Sequence, residues 1–110
     1  MKILVCGGRH YNDAGCVDRY LTQLQPTCVI EGGATGADRI ASDWAFRKGV
    51  DGHRFYAEWG QHGKAAGPKR NQRMIDEGKP DLVLAFPGGR GTADMVQRAK
   101  AAGVKVIEVS

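Results

Sequence analysis

Short apolar runs alternate along the chain with longer segments in which apolar and polar residues mix. Five of the runs have the length of a β-strand, and they occupy residues 3–6, 28–30, 53–56, 82–85 and 104–109. The run at 53–56 is the weakest. Continuous apolar runs of this length are typical of strands buried on both faces, so the pattern predicts a parallel sheet.

The segments between the runs carry apolar residues at helical spacing. Apolar side chains recur three and four positions apart, which places one apolar stripe on each helix. A further helix is expected to begin at about Pro68, because proline is tolerated in a first helical turn, and to end near Met74 and Ile75. The other three stripes comprise Val17, Tyr20, Leu21 and Leu24; Ala37, Ile40, Ala41, Trp44 and Ala45; and Met95, Val96, Ala99 and Ala102.

This alternation of five strands with four helices predicts an α/β fold, with right-handed crossovers that build a mainly parallel five-stranded sheet. A chain of 110 residues is expected to form one domain, residues 1–110. In open sheets of this kind, ligands bind beyond the carboxyl ends of the strands. The residues that follow each strand are therefore the candidates for function.

Glycine is concentrated in the segments that follow the first four strands. In FPGGRGT, residues 86–92, three glycines separate a buried run from a helix that is expected to be capped by Thr92. Such a turn lets the backbone approach a ligand, and the N–H groups of the next helix attract an anion. Thr35 and Asp38 are expected to play comparable roles after the second strand. A single loop would need no explanation beyond a tight turn, but several at strand ends favour a phosphorylated ligand.

Charged and aromatic residues in the same segments fit such a ligand. Arg9, Arg70 and Arg90 are candidates to neutralise phosphate, because a guanidinium pairs with it bidentately. Trp59 either stacks on a base or packs its own loop. The glycine spacing matches neither a Walker A loop nor the dinucleotide fingerprint.

Charge and cysteine content are compatible with more than one class of ligand. The net charge of +4 and the pI near 9.2 suit an anionic partner, either a phosphorylated small molecule or a nucleic acid. Three cysteines without paired spacing predict reduced thiols in a cytoplasmic protein, with no metal site. No apolar run is long enough to span a bilayer, so no membrane association is expected.

Four segments together resemble one family. They are VCGGRHYND at 5–13, IEGGATGAD at 30–38, EWGQHGKAAGPKRN at 58–71 and AFPGGRGTADM at 85–95. The chain resembles the YspA/YpsA-related branch of the SLOG superfamily, which also holds the Lonely Guy phosphoribohydrolases and the DNA-processing protein DprA. The resemblance implies a Rossmann-like three-layer sandwich and a nucleotide-related ligand near the glycine loops.

The same resemblance assigns residues by position. The phosphate-binding motif of the superfamily matches PGGRGT, and Arg70 and Asn71 match the GPxRN element of this branch. The resemblance implies a comparison with the phosphoribohydrolases of the superfamily, which carry the motif PGGxGTxxE. Its glutamate acts in cleavage of the N-glycosidic bond. Here Met95 stands at that position, and a thioether cannot act as an acid or a base. Asp94, one residue earlier, is expected to point about 100° away round the helix.

Three functions follow. The first is binding of a nucleotide or ADP-ribose-like ligand by a sensor or sequestering protein, with phage and mobile elements as frequent sources of such chains. A phosphoribohydrolase or N-glycosidase using Arg70 and Asp94 is the second, and a single-stranded nucleic-acid binder is the third. No cofactor is predicted, and the sequence does not decide whether the chain forms a homo-oligomer. The predicted ligand site comprises Gly7, Gly8, Arg9, Gly32, Gly33, Ala34, Thr35, Gly36, Asp38, Trp59, Arg70, Asn71, Pro87, Gly88, Gly89, Arg90, Gly91 and Thr92.

Overall fold

Five parallel strands form a single sheet with helices on both of its faces, which confirms the predicted Rossmann-like α/β fold. The computed structural model describes residues 1–110. In chain order the elements are β1 (Lys2–Cys6), α1 (Ala14–Leu24), β2 (Cys28–Glu31), α2 (Ala37–Lys48), β3 (Asp51–Arg54), α3 (Trp59–His62), α4 (Ala66–Asp76), β4 (Leu82–Ala85), α5 (Arg90–Ala101) and β5 (Lys105–Glu108). A 3-10 turn, Gly63–Ala65, joins α3 to α4.

The strand order is β3-β2-β1-β4-β5, so the chain reverses its direction across the sheet after β3. Strand β1 lies at the centre, where Ile3 is in register with both Val29 of β2 and Leu82 of β4. The carboxyl ends of β1 and β4 therefore lie side by side. In doubly wound sheets this reversal point is where the loops diverge and leave a crevice.

The core is divided by the sheet into two apolar layers. On one face α1 and α2 pack on β1, β2 and β4, with Trp44 and Phe86 as the largest buried side chains. On the other face α4 and α5 pack on the same strands, and Met74 and Met95 are buried in that layer. Strands covered on both faces explain why the apolar runs of β1, β2 and β4 were readable in the sequence.

The third strand lies two residues earlier than predicted. It was expected at 53–56, but β3 spans Asp51–Arg54, and all four of its residues are exposed. It is held at the sheet edge by its backbone pairing with β2, so its side chains carry no apolar signal. Phe55, which produced the apparent run, follows the strand; its N–H donates to the Glu31 carbonyl at 3.0 Å and its ring is buried.

Four helices of 11 or 12 residues match the four predicted ones. Helix α4 begins at Ala66 rather than Pro68, which places the proline in the first turn, where an N–H would have no partner within the helix. The short α3 was not predicted. It begins at Trp59, where the sequence predicts a loop.

Candidate functional site

Three glycine-rich loops meet at the carboxyl ends of β1, β2 and β4. The N–H of Gly8 donates to the Pro87 carbonyl at 2.9 Å, which joins the loop after β1 to the loop after β4. The N–H of Ala37 donates to the Gly8 carbonyl at 3.3 Å, and the Thr35 hydroxyl donates to the Arg9 carbonyl at 3.0 Å. These bonds connect the loop after β2 to the loop after β1, so the three loops form one continuous rim.

Close packing of this rim explains one group of glycines. A Cβ on Gly7 would lie 2.6 Å from the Ala37 Cβ, and one on Gly88 would lie 2.6 Å from the Gly8 nitrogen. A Cβ on Gly36 would lie 2.7 Å from the Arg9 carbonyl oxygen, and Gly36 also has a φ of +77°, which side chains rarely adopt. The protein itself therefore requires glycine at these positions.

Gly89 and Gly91 form a second group. Gly89 is the N-cap residue of α5 and Gly91 lies in its first turn, yet a Cβ on either would meet no atom within 4 Å. Neither has a positive φ. Nothing in the protein requires glycine at these two positions. The N–H groups in the first turn of a helix such as α5 have no partner within the helix.

Three polar residues of the rim do not cap helices as expected. The predicted cap Thr92 lies inside α5, which begins at Arg90 with Gly89 as an N-cap that makes no side-chain bond, and its hydroxyl lies against Gly88. Helix α2 likewise begins after Gly36 without a side-chain cap, because Thr35 bonds to the loop after β1. These hydroxyls hold loops together instead.

Asp38, the third of them, fixes the loop after β2. Its Oδ2 accepts from the Gly32 N–H at 3.1 Å and from the Ala34 N–H at 3.2 Å. Burial raises the pKa of Asp38 to about 6, although the hydrogen bond from Ala34 acts in the opposite direction. Burial therefore disfavours the charged form of this carboxyl group. Its two hydrogen bonds hold the loop after β2 in one conformation.

Beneath the rim lies a crevice with two adjoining lobes. The aromatic lobe, about 750 Å³, contains Tyr56 and Trp59, and the glycine lobe, about 700 Å³, lies against the loops after β1 and β4. Every residue of the predicted ligand site lines one lobe or the other except Gly36, whose role is loop packing. Residues that line both lobes are Arg9, Ala34, Arg70, Asn71, Arg90 and Gly91.

Arg70 lies between the two lobes. Its Nη1 donates to the Gly32 carbonyl at 2.7 Å and its Nε donates to Asn71 Oδ1 at 3.0 Å. Nη2 donates to no protein atom. Burial lowers the pKa of Arg70, while the nearby carboxylates Asp38 and Glu31 act to raise it. Arg70 thus presents an open, pre-positioned donor to the crevice.

Tyr56 is a crevice residue that the sequence analysis missed. It lies beyond the true end of β3, and Arg54 supports it by donating from Nη1 to its hydroxyl at 3.1 Å. Arg54 also pairs with the buried Glu31, whose Oε2 accepts from the Gly33 N–H at 3.0 Å. Tyr56 is 62% exposed, and Trp59 is 58% exposed. With β3 placed two residues earlier, Tyr56 would have counted as a strand-end residue.

The first turns of α5 present Asp94, not position 95, to the crevice. Met95 has no exposed surface and packs in the core, while Asp94 lines the aromatic lobe. Asp94 Oδ2 accepts from Asn71 Nδ2 at 2.9 Å and from Arg98 Nε at 2.8 Å. The motif position that carries glutamate in phosphoribohydrolases is thus turned away from the crevice in this chain.

Positive charge dominates the crevice walls. The cations on the aromatic lobe are Arg9, Lys64, Arg70 and Arg90, and they face one carboxylate. Such a surface attracts an anion. No three His, Cys, Asp or Glu side chains are grouped to hold a metal ion, and no helix has the length and apolarity to cross a membrane.

Comparison with known proteins places these features in context. A family model described as the YspA, cpYpsA-related SLOG family matches residues 1–62. The Gene 61 protein of Mycobacterium phage D29 is 38% identical over 120 residues, which cover 96% of this chain and 94% of that protein. The X-ray structure of DNA processing protein A (DprA) from Streptococcus pneumoniae resembles the fold with a TM-score of 0.58 at 18% identity, over 96% of this chain. This chain spans 58% of the DprA chain.

Proposed function

Because the chain belongs to the YspA, cpYpsA-related SLOG family, whose members are associated with nucleotide-related ligands, we propose that it binds a nucleotide or an ADP-ribose-like molecule and holds it without turnover. The phosphate occupies the N-terminus of α5 at Gly89–Gly91, and the base lies in the aromatic lobe. Membership confirms the resemblance that the glycine loops indicated. The family model matches residues 1–62, so the loop after β4 lies outside the match. That loop supports the proposal through its geometry and not through the family match.

The open space above Gly91 is the observation that carries this proposal. Glycine inside a helix costs about 1 kcal/mol relative to alanine. At Gly91 neither packing nor φ requires glycine, since a Cβ would meet no atom within 4 Å. A ligand that approaches the first-turn N–H groups closely would need this space. The unused room therefore fits an anion held on the backbone.

Side chains around this position suit the two ends of a nucleotide. Arg9, Arg70 and Arg90 line both lobes, where their guanidinium groups can pair with phosphate oxygens. Trp59 and Tyr56 expose their rings to the aromatic lobe, and aromatic rings bind bases by stacking. Phosphate and base are thus accommodated at neighbouring places in one crevice.

Retention without cleavage is the second half of the proposal. Met95 lies in the core, so no acid or base stands at the glutamate position of the hydrolase motif. Asp94 does reach the crevice, which leaves phosphoribohydrolase activity as the alternative to be tested by release of free base. The likeness to a phage protein fits a role in sequestering a nucleotide signal.

A pair of matched glycine variants tests the phosphate position. Gly91→Ala should stabilise the fold by about 0.5–1 kcal/mol, because alanine favours the helix, and should weaken binding of AMP or ADP-ribose at least about tenfold. Gly15 is also the second residue of its helix, α1, and a Cβ there meets only ordinary contacts, the nearest atom at 3.6 Å. Gly15→Ala should stabilise the fold similarly and leave affinity unchanged. Calorimetric titration that finds equal affinity for both variants would contradict the proposal.

A further inference from the structure

Asp94 is the only acidic side chain among the residues that line the aromatic lobe. The other charged residues there are cations, and the proposed ligand is an anion. Arg98 pairs with this carboxylate at 2.8 Å and offsets part of its charge, so Asp94 does not by itself exclude a phosphate from the lobe. A ligand that also carries a hydrogen-bond donor can use the carboxylate as an acceptor.

One oxygen of Asp94 is committed to the protein and the other is free. Oδ2 accepts both hydrogen bonds, from Asn71 Nδ2 at 2.9 Å and from Arg98 Nε at 2.8 Å. Oδ1 accepts none. Burial acts to raise the pKa of Asp94, but the bonds from Arg98 and Asn71 outweigh it, and the pKa is lowered. The group is a stable carboxylate with one unused acceptor oxygen.

The partners of Asp94 prevent it from rotating freely. Asn71 is 4% exposed, and its Nδ2 also donates to the Gly91 carbonyl at 3.2 Å while its Oδ1 accepts from Arg70. Arg98 donates a second bond, from Nη1 to Gln72 Oε1 at 3.0 Å. Both donors are thus fixed by further bonds, so the orientation of the carboxylate is set before any ligand arrives.

The place of Asp94 on α5 indicates which part of a nucleotide it would meet. It lies three residues beyond Gly91, a rise of about 4.5 Å along the helix. A phosphate on the N-terminal amides of α5 therefore leaves the adjoining sugar beside Asp94, while the base extends to Trp59 and Tyr56. The donors that a nucleotide offers next to its phosphate are the ribose hydroxyls.

We propose that Asp94 accepts hydrogen bonds from the ribose hydroxyls of the ligand and thereby selects ribonucleotides over 2′-deoxyribonucleotides. A 2′-phosphate would be disfavoured as well, since it would bring a second negative charge to the carboxylate. This inference rests on the proposed function, because it assumes that a nucleotide occupies the crevice. It adds the sugar to the phosphate and base positions.

Matched pairs of ligands test the inference. Affinities are measured by calorimetry for the four ribonucleoside 5′-monophosphates and ADP-ribose, each against its 2′-deoxy counterpart. The native protein should prefer the ribonucleotide about tenfold or more, as expected for a hydrogen bond to a charged acceptor. Asp94→Ala should reduce that ratio to about one. Its affinity for the 2′-deoxy ligand should be equal or higher, because a negative charge has left the crevice.

Control variants make the outcomes distinct. Asp43 is an exposed carboxylate of α2 away from the crevice, and Asp43→Ala should keep the full preference for ribonucleotides. Should Asp94→Ala fail to fold, Asp94→Asn keeps the side-chain shape and should lower the ratio. Two results would overturn the inference and leave nucleotide binding intact. One is equal affinity of the native protein for the ribonucleotide and the 2′-deoxy ligand, and the other is an unchanged preference for the ribonucleotide in Asp94→Ala. Binding of neither sugar overturns both.

Discussion

Arg70 lies across Gly32 and donates from Nη1 to the Gly32 carbonyl at 2.7 Å. A Cβ on residue 32 would lie 2.8 Å from Arg70 Cζ, so the absence of a side chain creates the space that the guanidinium fills. A glycine after β2 thus positions the cation between the two lobes. A single methyl group at position 32 would therefore displace the guanidinium from its place in the crevice.

Gly32→Ala is expected to displace Arg70 and to weaken binding of AMP and ADP-ribose at least about tenfold, because a charge-assisted bond to phosphate is lost. Calorimetric titration measures the change. Gly52→Ala serves as the control, since a Cβ on Gly52 of β3 meets no atom within 4 Å. If both variants bound equally well, Arg70 would have no part in the site.

Asp38 gives a pH dependence of stability. Its pKa in the folded state is about 6, above its ordinary value of 3.8, so its proton stabilises the fold. That contribution is complete below about pH 4 and is lost as the pH rises through about 6, a change of about 3 kcal/mol. Asp38→Asn mimics the protonated group. Relative to this variant, the native protein should lose stability between pH 4 and 7 in urea unfolding, and a constant difference would contradict the assigned pKa shift.

Met95→Glu introduces the glutamate of the hydrolase motif but should not confer phosphoribohydrolase activity. The side chain at this position has no exposed surface, so the variant should lose about 3 kcal/mol or more of stability, because an unpaired charge is buried. Ala93→Glu, at an exposed position of the same helix, should leave stability nearly unchanged. Denaturant unfolding and an assay for free base measure the two effects. Base release by a stably folded Met95→Glu variant would show that position 95 reaches the ligand.

Trp59 offers a direct optical signal for the base. The only other tryptophan, Trp44, is buried and donates from Nε1 to Thr22 Oγ1 at 3.2 Å, so it should not respond to ligand. Addition of AMP or ADP-ribose should therefore quench fluorescence in the native protein and leave Trp59→Phe unaffected. Ribose 5-phosphate, which lacks a base, should give little quenching. An equal response from Trp59→Phe would place the base elsewhere.

The apolar pattern predicted the sheet well wherever strands are buried on both faces. Strands β1, β2 and β4 lie within a residue of their predicted positions, because burial on both sides leaves a continuous apolar run. The exposed edge strand β3 carries no such run, and the buried Phe55 shifted its prediction by two residues. That shift hid Tyr56, which the true strand end places at the crevice.

The apolar stripe that includes Met95, Val96 and Ala99 predicted which face of α5 turns towards the core, and these three residues are buried there. The glycine motif alone could not show this, nor that Asp94 would reach the crevice and accept a hydrogen bond from Asn71. Similarly, the sequence shows where glycines lie but not which ones the loops need for their own packing. Gly36 belongs to the rim, whereas Gly91 faces open space, and only the three-dimensional arrangement separates them.

A thermal-shift panel followed by chromatography tests whether the protein binds a nucleotide and retains it intact. The panel comprises AMP, CMP, NAD, ADP-ribose, cyclic ADP-ribose forms and cyclic dinucleotides, each present at a large excess. A nucleotide at 100 times its Kd adds about 2.7 kcal/mol of stability, which raises Tm by roughly 10 °C or more in a chain of this length. One class of nucleotide should give such a shift and should be recovered intact from the protein. A flat panel, or recovery of the free base, would contradict it.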